Sequence, residues 1–128
     1  MVDKRRILLV DDEPNIVKII SRRLMAEGFE VSVAMDGIIA LEKARAEKPN
    51  LILLDVMLPK LSGYDVCRQL KQDMRYKNIP IIMLTALAHE SDEEFGLEVG
   101  ADAYIRKPFK AQQLLQKIEE LISSHKPI

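Results

Sequence analysis

The chain has 128 residues, enough for one domain with a proper core and no disulfides, and its single cysteine, Cys67, excludes an internal one. Its 19 basic and 20 acidic side chains leave a net charge of −1, spread in mixed sign, which gives no reason to expect a nucleic-acid or membrane surface. No segment approaches the length of a transmembrane helix or a signal-peptide core, so a cytoplasmic location is expected.

Ile7-Leu8-Leu9-Val10 is an uninterrupted run of branched residues, which predicts a strand buried on both faces, and it ends in Asp11-Asp12. Glu13-Pro14 follows, with Pro14 suited to a first helical turn. Ile16, Ile20 and Leu24, with Val17 and Ile19 beside them, form that helix's apolar stripe, and Gly28 closes it. Phe29–Ala34 alternates as a second strand. Asp36-Gly37 turns into a second helix with the stripe Ile38, Leu41 and Ala44, stopped by Pro49-Asn50. Leu51-Ile52-Leu53-Leu54 is a third strand, ending in Asp55. Pro59 and Gly63 punctuate the next loop, a third helix covers Tyr64–Asp73, and Ile79–Leu84 is a fourth strand. A polar stretch leads to a fourth helix over Ser91–Val99, ended by Gly100. Ala103–Ile105 is a short fifth strand, and Ala111–Ser123 a final helix with Leu114, Ile118 and Ile122 in register. Cys67 falls in the stripe Val66-Cys67-Leu70 and reads as a small buried hydrophobe. Ser124–Ile128 reads as a frayed tail or the start of a linker.

Strands alternating with helices demand a parallel sheet covered on both faces, with right-handed crossovers. If the first and third strands are adjacent, Asp11, Asp12 and Asp55 crowd one edge of the sheet, where open α/β folds place their sites. Such close carboxylates need a cation or raised pKa values to coexist, and an all-oxygen cluster suits Mg²⁺. A second reading of Asp11-Asp12 is a simple helix cap. Thr85 and Lys107 end the fourth and fifth strands and converge on the same edge. A carboxylate can attack a phosphoryl group and hold it as an acyl phosphate, with Mg²⁺, a hydroxyl and an ammonium spreading the charge. His89 and His125 have no metal-ligand partners at useful spacing and receive no role.

Four segments together resemble the receiver domain of two-component response regulators, the CheY-like family. They are Leu8-Leu9-Val10-Asp11-Asp12-Glu13, Leu54-Asp55-Val56-Met57-Leu58-Pro59 with Gly63, Thr85-Ala86, and Lys107-Pro108-Phe109. The likeness spans residues 5–123 and implies one receiver domain over 1–128, a flavodoxin-like (βα)5 sheet in the order 2-1-3-4-5. By that resemblance Asp55 is the phosphoacceptor, loaded by a sensor histidine kinase or a phosphotransfer protein, and the chain is not itself an enzyme. Asp12 would contact Mg²⁺ directly, Asp11 mainly through water, and Met57 through its backbone carbonyl, with Mn²⁺ as an alternative ion. Thr85 and Lys107 would bind the aspartyl phosphate, Tyr104 would be the aromatic switch, and the bond before Pro108 would be cis.

Rival readings fare worse. A haloacid-dehalogenase-type phosphatase places a second Asp two residues after its nucleophile, where this chain has Met57. A nucleotide module on the same fold cradles phosphate in a Gly/Ser/Thr-rich loop, where this chain has Asp-Asp-Glu-Pro. A degenerate docking receiver would have lost site residues that are all present here. The output face would be the fourth helix, fifth strand and fifth helix, meeting a downstream protein or output domain and no nucleic acid. Winged-helix regulators of the family pair that face with a second copy, using two acids before the switch tyrosine and arginine on the last helix. Here the residues are Asp102-Ala103 and Lys117, so a monomer that binds a partner protein is expected, either a stand-alone regulator or the N-terminal part of a longer one.

Overall fold

Strands made of unbroken apolar runs have two greasy faces, so helices must cover both. The computed structural model describes residues 5–87 and 89–124, and it has that architecture. β1 (Arg6–Val10), β2 (Glu30–Ala34), β3 (Leu51–Leu54), β4 (Ile81–Thr85) and β5 (Ala103–Arg106) form one parallel sheet in the order β2-β1-β3-β4-β5. The helices between and after them are α1 (Pro14–Ala26), α2 (Gly37–Glu47), α3 (Gly63–Lys71), α4 (Glu90–Glu98) and α5 (Ala111–Ser124). The expected doubly wound fold and strand order are therefore present.

Side chains alternate across each strand and split the core in two. Leu8, Val10, Ile52, Leu54, Ile81 and Met83 face Ala40, Leu41 and Ala44 of α2 and Val66, Cys67 and Leu70 of α3. Ile7, Leu9, Leu51, Leu53, Ile82 and Leu84 face Ile20 and Leu24 of α1 and Leu114, Ile118 and Ile122 of α5. Burial pushes the Cys67 thiol up to about 12, so it stays protonated and packs as a hydrophobe.

Several sequence expectations need correction. The buried face of α2 is Gly37, Ala40, Leu41 and Ala44, while Ile38 is 43% exposed. Steps of three residues each fall about 60° short of a full turn, so Ile38 ends up far round the helix from Ala44. Gly37 lies seven residues before Ala44, only about 20° off its line. Ile19 likewise lies outside α1's stripe, at 67% exposed. β4 begins at Ile81 rather than Ile79, because Pro80 brings no N–H to the ladder and the Ile79 carbonyl accepts from a side chain instead. The remaining boundaries shift by no more than two residues. The expectation for 124–128, and His125 with it, lies outside the described residues apart from the backbone of Ser124, which ends α5.

α4 is held least. Gly96 is its single buried residue, and Phe95 and Leu97 stand 40% and 48% exposed. Gly96 sits against the Tyr104 ring, since a Cβ there would lie 3.0 Å from Cδ2 of that ring. Tyr64 packs edge-on against Phe95 with ring centroids 4.6 Å apart and donates its hydroxyl to the Asp92 carbonyl.

The N-terminal end of β4 is fastened by one lysine. Lys71 Nζ donates to the carbonyls of Ile79 at 2.7 Å and Lys77 at 3.1 Å and to Asp102 Oδ2 at 2.9 Å. Asp102 Oδ2 also accepts from the Ile81 N–H at 2.8 Å. Asp102, which the sequence offered only as one half of a dimer signature, thus ties α3, β4 and the start of β5 together. Lys71→Met would take the ammonium away from the Asp102 carboxylate and from the part-buried Ile79 carbonyl, and should cost about 2–3 kcal/mol. Urea denaturation should show a lower midpoint with an unchanged slope. An unchanged midpoint would mean that the clamp contributes nothing net.

Candidate functional site

Register brings the acids together. Val10 pairs with Leu54 across β1 and β3, so Asp11 and Asp55 leave neighbouring strands at the same level. The Asp55 N–H donates to the Val10 carbonyl at 2.9 Å and the Asp11 N–H to the Ala34 carbonyl at 3.1 Å, extending the ladders one residue past the strands. Asp11 and Asp55 are buried, whereas Asp12 is exposed to solvent. Oxygens of all three carboxylates lie within 4.8 Å of one another.

β4 and β5 supply the other half of the edge. Thr85 is fully buried at the end of β4, and its Oγ1 accepts from the Leu87 N–H at 3.3 Å. Its carbonyl accepts from the Lys107 N–H at 2.8 Å, which fixes where Lys107 leaves the sheet. Lys107 Nζ then reaches Asp11 Oδ2 at 2.7 Å and Asp55 Oδ2 at 3.4 Å. The Lys107–Pro108 peptide bond is cis. All of the residues singled out on this edge, Asp11, Asp12, Asp55, Thr85 and Lys107, are brought together.

The electrostatics follow from burial and spacing. Burial raises the Asp55 pKa above its usual 3.8; Lys107 opposes that shift and the Asp11 charge adds to it. For Lys107, burial works against the ammonium, but the hydrogen bond to Asp11 and the charges of Asp55 and Asp11 outweigh it and hold its pKa above 10.5. The three acids therefore do not simply repel one another, because one lysine already bridges two of them.

The helix-cap reading of Asp11-Asp12 does not hold. Glu13 is the N-cap of α1 and makes no side-chain cap, and Asp11 Oδ1 accepts instead from the Glu13 N–H at 3.0 Å. Exposed Asp12 makes no hydrogen bond or ion pair among the described residues, which leaves its oxygens open to a ligand. Two buried carboxylates and one open one form an all-oxygen donor set that fits Mg²⁺. Met57 follows at once, with its N–H 3.4 Å from Asp55 Oδ1 and its side chain exposed.

Tyr104 stands apart from the acids. Its hydroxyl donates to the Leu87 carbonyl at 3.1 Å, two residues beyond Thr85, and burial raises its pKa with help from Tyr64. The sequence reads Gly63 as loop punctuation and as part of the receiver-like segment, without a physical role of its own. It is more than that, since a Cβ there would lie 2.1 Å from the Asp55 carbonyl oxygen. The signal was present, because a glycine opening a helix right after a site loop often marks close backbone approach.

Comparison with known proteins agrees with this geometry. Residues 7–119 match the family model described as the response regulator receiver domain. The chain is 48% identical over 121 residues to a probable transcriptional regulator, ycf27, of Cyanophora paradoxa, covering 94% of this chain and 49% of that one. It is 47% identical over 118 residues to the alkaline phosphatase synthesis transcriptional regulatory protein PhoP of Bacillus subtilis, covering 92% and 48%. The chain thus spans about half the length of the curated relatives it matches. A solved receiver domain of the sensor histidine kinase PA1611 from Pseudomonas aeruginosa, with magnesium coordinated in its active site cleft, superposes with a TM-score of 0.87 at 35% identity, covering 94% of this chain and 99% of that one.

The raised Asp55 pKa has a consequence for stability without metal. A carboxyl whose folded pKa lies above its unfolded value favours the fold when protonated, below pH 3.8, and that contribution is lost as pH rises through the folded pKa. Asp55→Asn removes the charge, so in EDTA at neutral pH the variant should melt above the native chain. Its advantage should shrink as pH falls through the folded Asp55 pKa. Thermal melts of both proteins across this range check the sign, and a variant that melts lower at pH 7 would refute it.

Proposed function

Because the chain belongs to the response-regulator receiver family of two-component signalling, we propose that Asp55 is its phosphoacceptor, loaded by a sensor histidine kinase or a phosphotransfer protein. One observation carries the choice among the acids. Both Asp11 oxygens are engaged, at 2.7 and 3.0 Å, and Asp12 is exposed to solvent, whereas both Asp55 contacts are long, at 3.4 Å. Asp55 thus keeps the lone pairs a nucleophile needs while sitting beside an ammonium.

An Asp55 oxygen attacks phosphorus in line, the bond from phosphorus to the donor nitrogen breaks, and that nitrogen keeps the electron pair. Lys107 and the Thr85 hydroxyl hold the phosphoryl oxygens of the resulting acyl phosphate. Asp12, Asp11, Asp55 and the Met57 carbonyl would hold Mg²⁺, or Mn²⁺ in its place, which would supply charge neutralisation. The chain acts as a stoichiometric acceptor, not as an enzyme. Residues 1–128 form a single receiver domain with its core over about 5–123, and a cytoplasmic location suits its donor. Among the described residues, no helix is long and apolar enough to cross a membrane.

The output runs through α4, β5 and α5. Thr85 moves towards the phosphoryl group, its bond to the Leu87 N–H is released, and Tyr104, held by the Leu87 carbonyl, changes rotamer beneath α4. Arg106 and Glu93 pair at 3.4 Å across this same face. The relatives are named as transcriptional regulators, which favours a DNA-binding output element as the downstream partner. The near-neutral receiver itself makes no direct nucleic-acid contact.

Acetyl phosphate with Mg²⁺ should raise the intact mass of the native chain by one phosphoryl group, and Asp55→Asn should abolish the gain. Stoichiometric labelling of that variant at another residue would falsify the assignment. At ten times its Kd, Mg²⁺ should stabilise the native fold by about 1.4 kcal/mol. That is a midpoint rise of roughly a few degrees for a domain of this size. Asp12→Ala should lose most of this response and, with one repelling charge fewer, melt no lower than the native chain without metal. A variant that keeps the native Mg²⁺ shift would remove Asp12 from the ligand set.

A further inference from the structure

The loop between β3 and α3 carries Met57 and turns sharply at Lys60, a non-glycine residue at φ 69° in the left-handed region. Such a conformation persists only where its surroundings enforce it. Within the loop, Leu58 N–H donates to Val56 O at 3.1 Å, Leu61 N–H to Pro59 O at 2.8 Å, and Gly63 N–H to Val56 O at 2.8 Å. The outer bend is gripped from elsewhere, by the N-terminus of α2. Gly37 N–H donates to the Pro59 carbonyl at 3.2 Å, and Asp36 Oδ2 lies 3.7 Å from Lys60 Nζ. The other Asp36 oxygen caps α2 through the Ile39 N–H at 2.8 Å, so the grip is rigid with the helix. A Cβ on Gly37 would lie 2.1 Å from the Leu61 carbonyl oxygen and 2.6 Å from the Leu61 Cβ. Backbone stands there, not a side-chain tip that could swing away.

We propose that Gly37 is a positioning residue for the acid site. By letting the loop bend close on α2, it sets where the Met57 carbonyl and the Asp55 carboxylate stand relative to Asp11 and Asp12, and hence how tightly Mg²⁺ is held. The inference rests on the metal-binding reading given above. Gly37 itself touches none of the acids. It acts through Pro59, Lys60 and Leu61, two to four residues beyond Met57.

The geometry makes the test clean. Gly37 opens α2 and is not among the positive-φ glycines, which are Gly28 and Gly100, so alanine suits its backbone and favours the helix. The one penalty is the collision with Leu61. Gly37→Ala should fold, with native far-UV circular dichroism, yet bind Mg²⁺ with a Kd raised at least fivefold and accept phosphate from acetyl phosphate more slowly at fixed sub-saturating Mg²⁺. Amide NMR shifts of Met57 and Leu58 at metal saturation should differ from those of the native chain. Lys60→Val reaches the same bend from the loop side, because a β-branched residue resists φ 69°. It also removes a positive charge, so electrostatics alone would tighten Mg²⁺ binding, whereas lost positioning weakens it.

Metal titrations are done at a temperature where each variant is fully folded, so a purely structural defect does not move Kd. Native Kd and native Met57 shifts in folded Gly37→Ala overturn the proposal. If Gly37→Ala does not fold, Lys60→Val decides, and a Kd at or below native in that variant overturns it as well. If the native chain itself fails to bind Mg²⁺, or Asp12→Ala leaves its binding intact, the metal-site reading fails instead.

Discussion

One ammonium between two buried carboxylates governs this molecule's chemistry. Without Lys107, Asp11 and Asp55 would face each other in a buried place with nothing to offset their repulsion. Lys107 at 2.7 and 3.4 Å offsets that repulsion, and three acids with one lysine leave a formal two negative charges to be met. That residue of charge is what a divalent cation matches. Under the function proposed above, the same lysine would also serve the incoming phosphoryl group, and a cation beside the acids would take over part of the charge that the ammonium now offsets. Sheet order makes the arrangement achievable, because β1, β3, β4 and β5 present Asp11, Asp55, Thr85 and Lys107 along one continuous edge.

Much of this was legible in the sequence, for identifiable reasons. A strand buried on both faces has no polar residue to spare, so its end is marked by the first charged one, as at Asp11 and Asp55. Helices with a wide apolar stripe, such as α5 with Leu114, Ile118 and Ile122, declare their buried face. α2 did not, because it packs through Gly37, Ala40 and Ala44, and small residues carry little hydrophobic signal beside the conspicuous Ile38. The Lys71–Asp102 clamp was hidden for another reason. Its partners are 31 residues apart and look like ordinary solvated charges, and only the path of the chain makes them neighbours. Lys107 was recognised as part of the site but not as a bridge between acids, since side-chain reach cannot be read from position along a strand.

The sparse anchoring of α4 has an energetic meaning. A helix with a single buried residue, seated on an aromatic ring through the bare backbone of Gly96, forfeits few contacts when it slides. Two arrangements that differed only in such a slide would lie close in free energy, and a gap of a few kcal/mol leaves a minor state populated at about 0.1–10%. Under the proposed function, a new charge at the sheet edge would have only to favour such a minority to bring it forward. The close packing of the rest of the fold fixes the site, and under the proposed function the loose seat of α4 would set how small a chemical change the molecule can report.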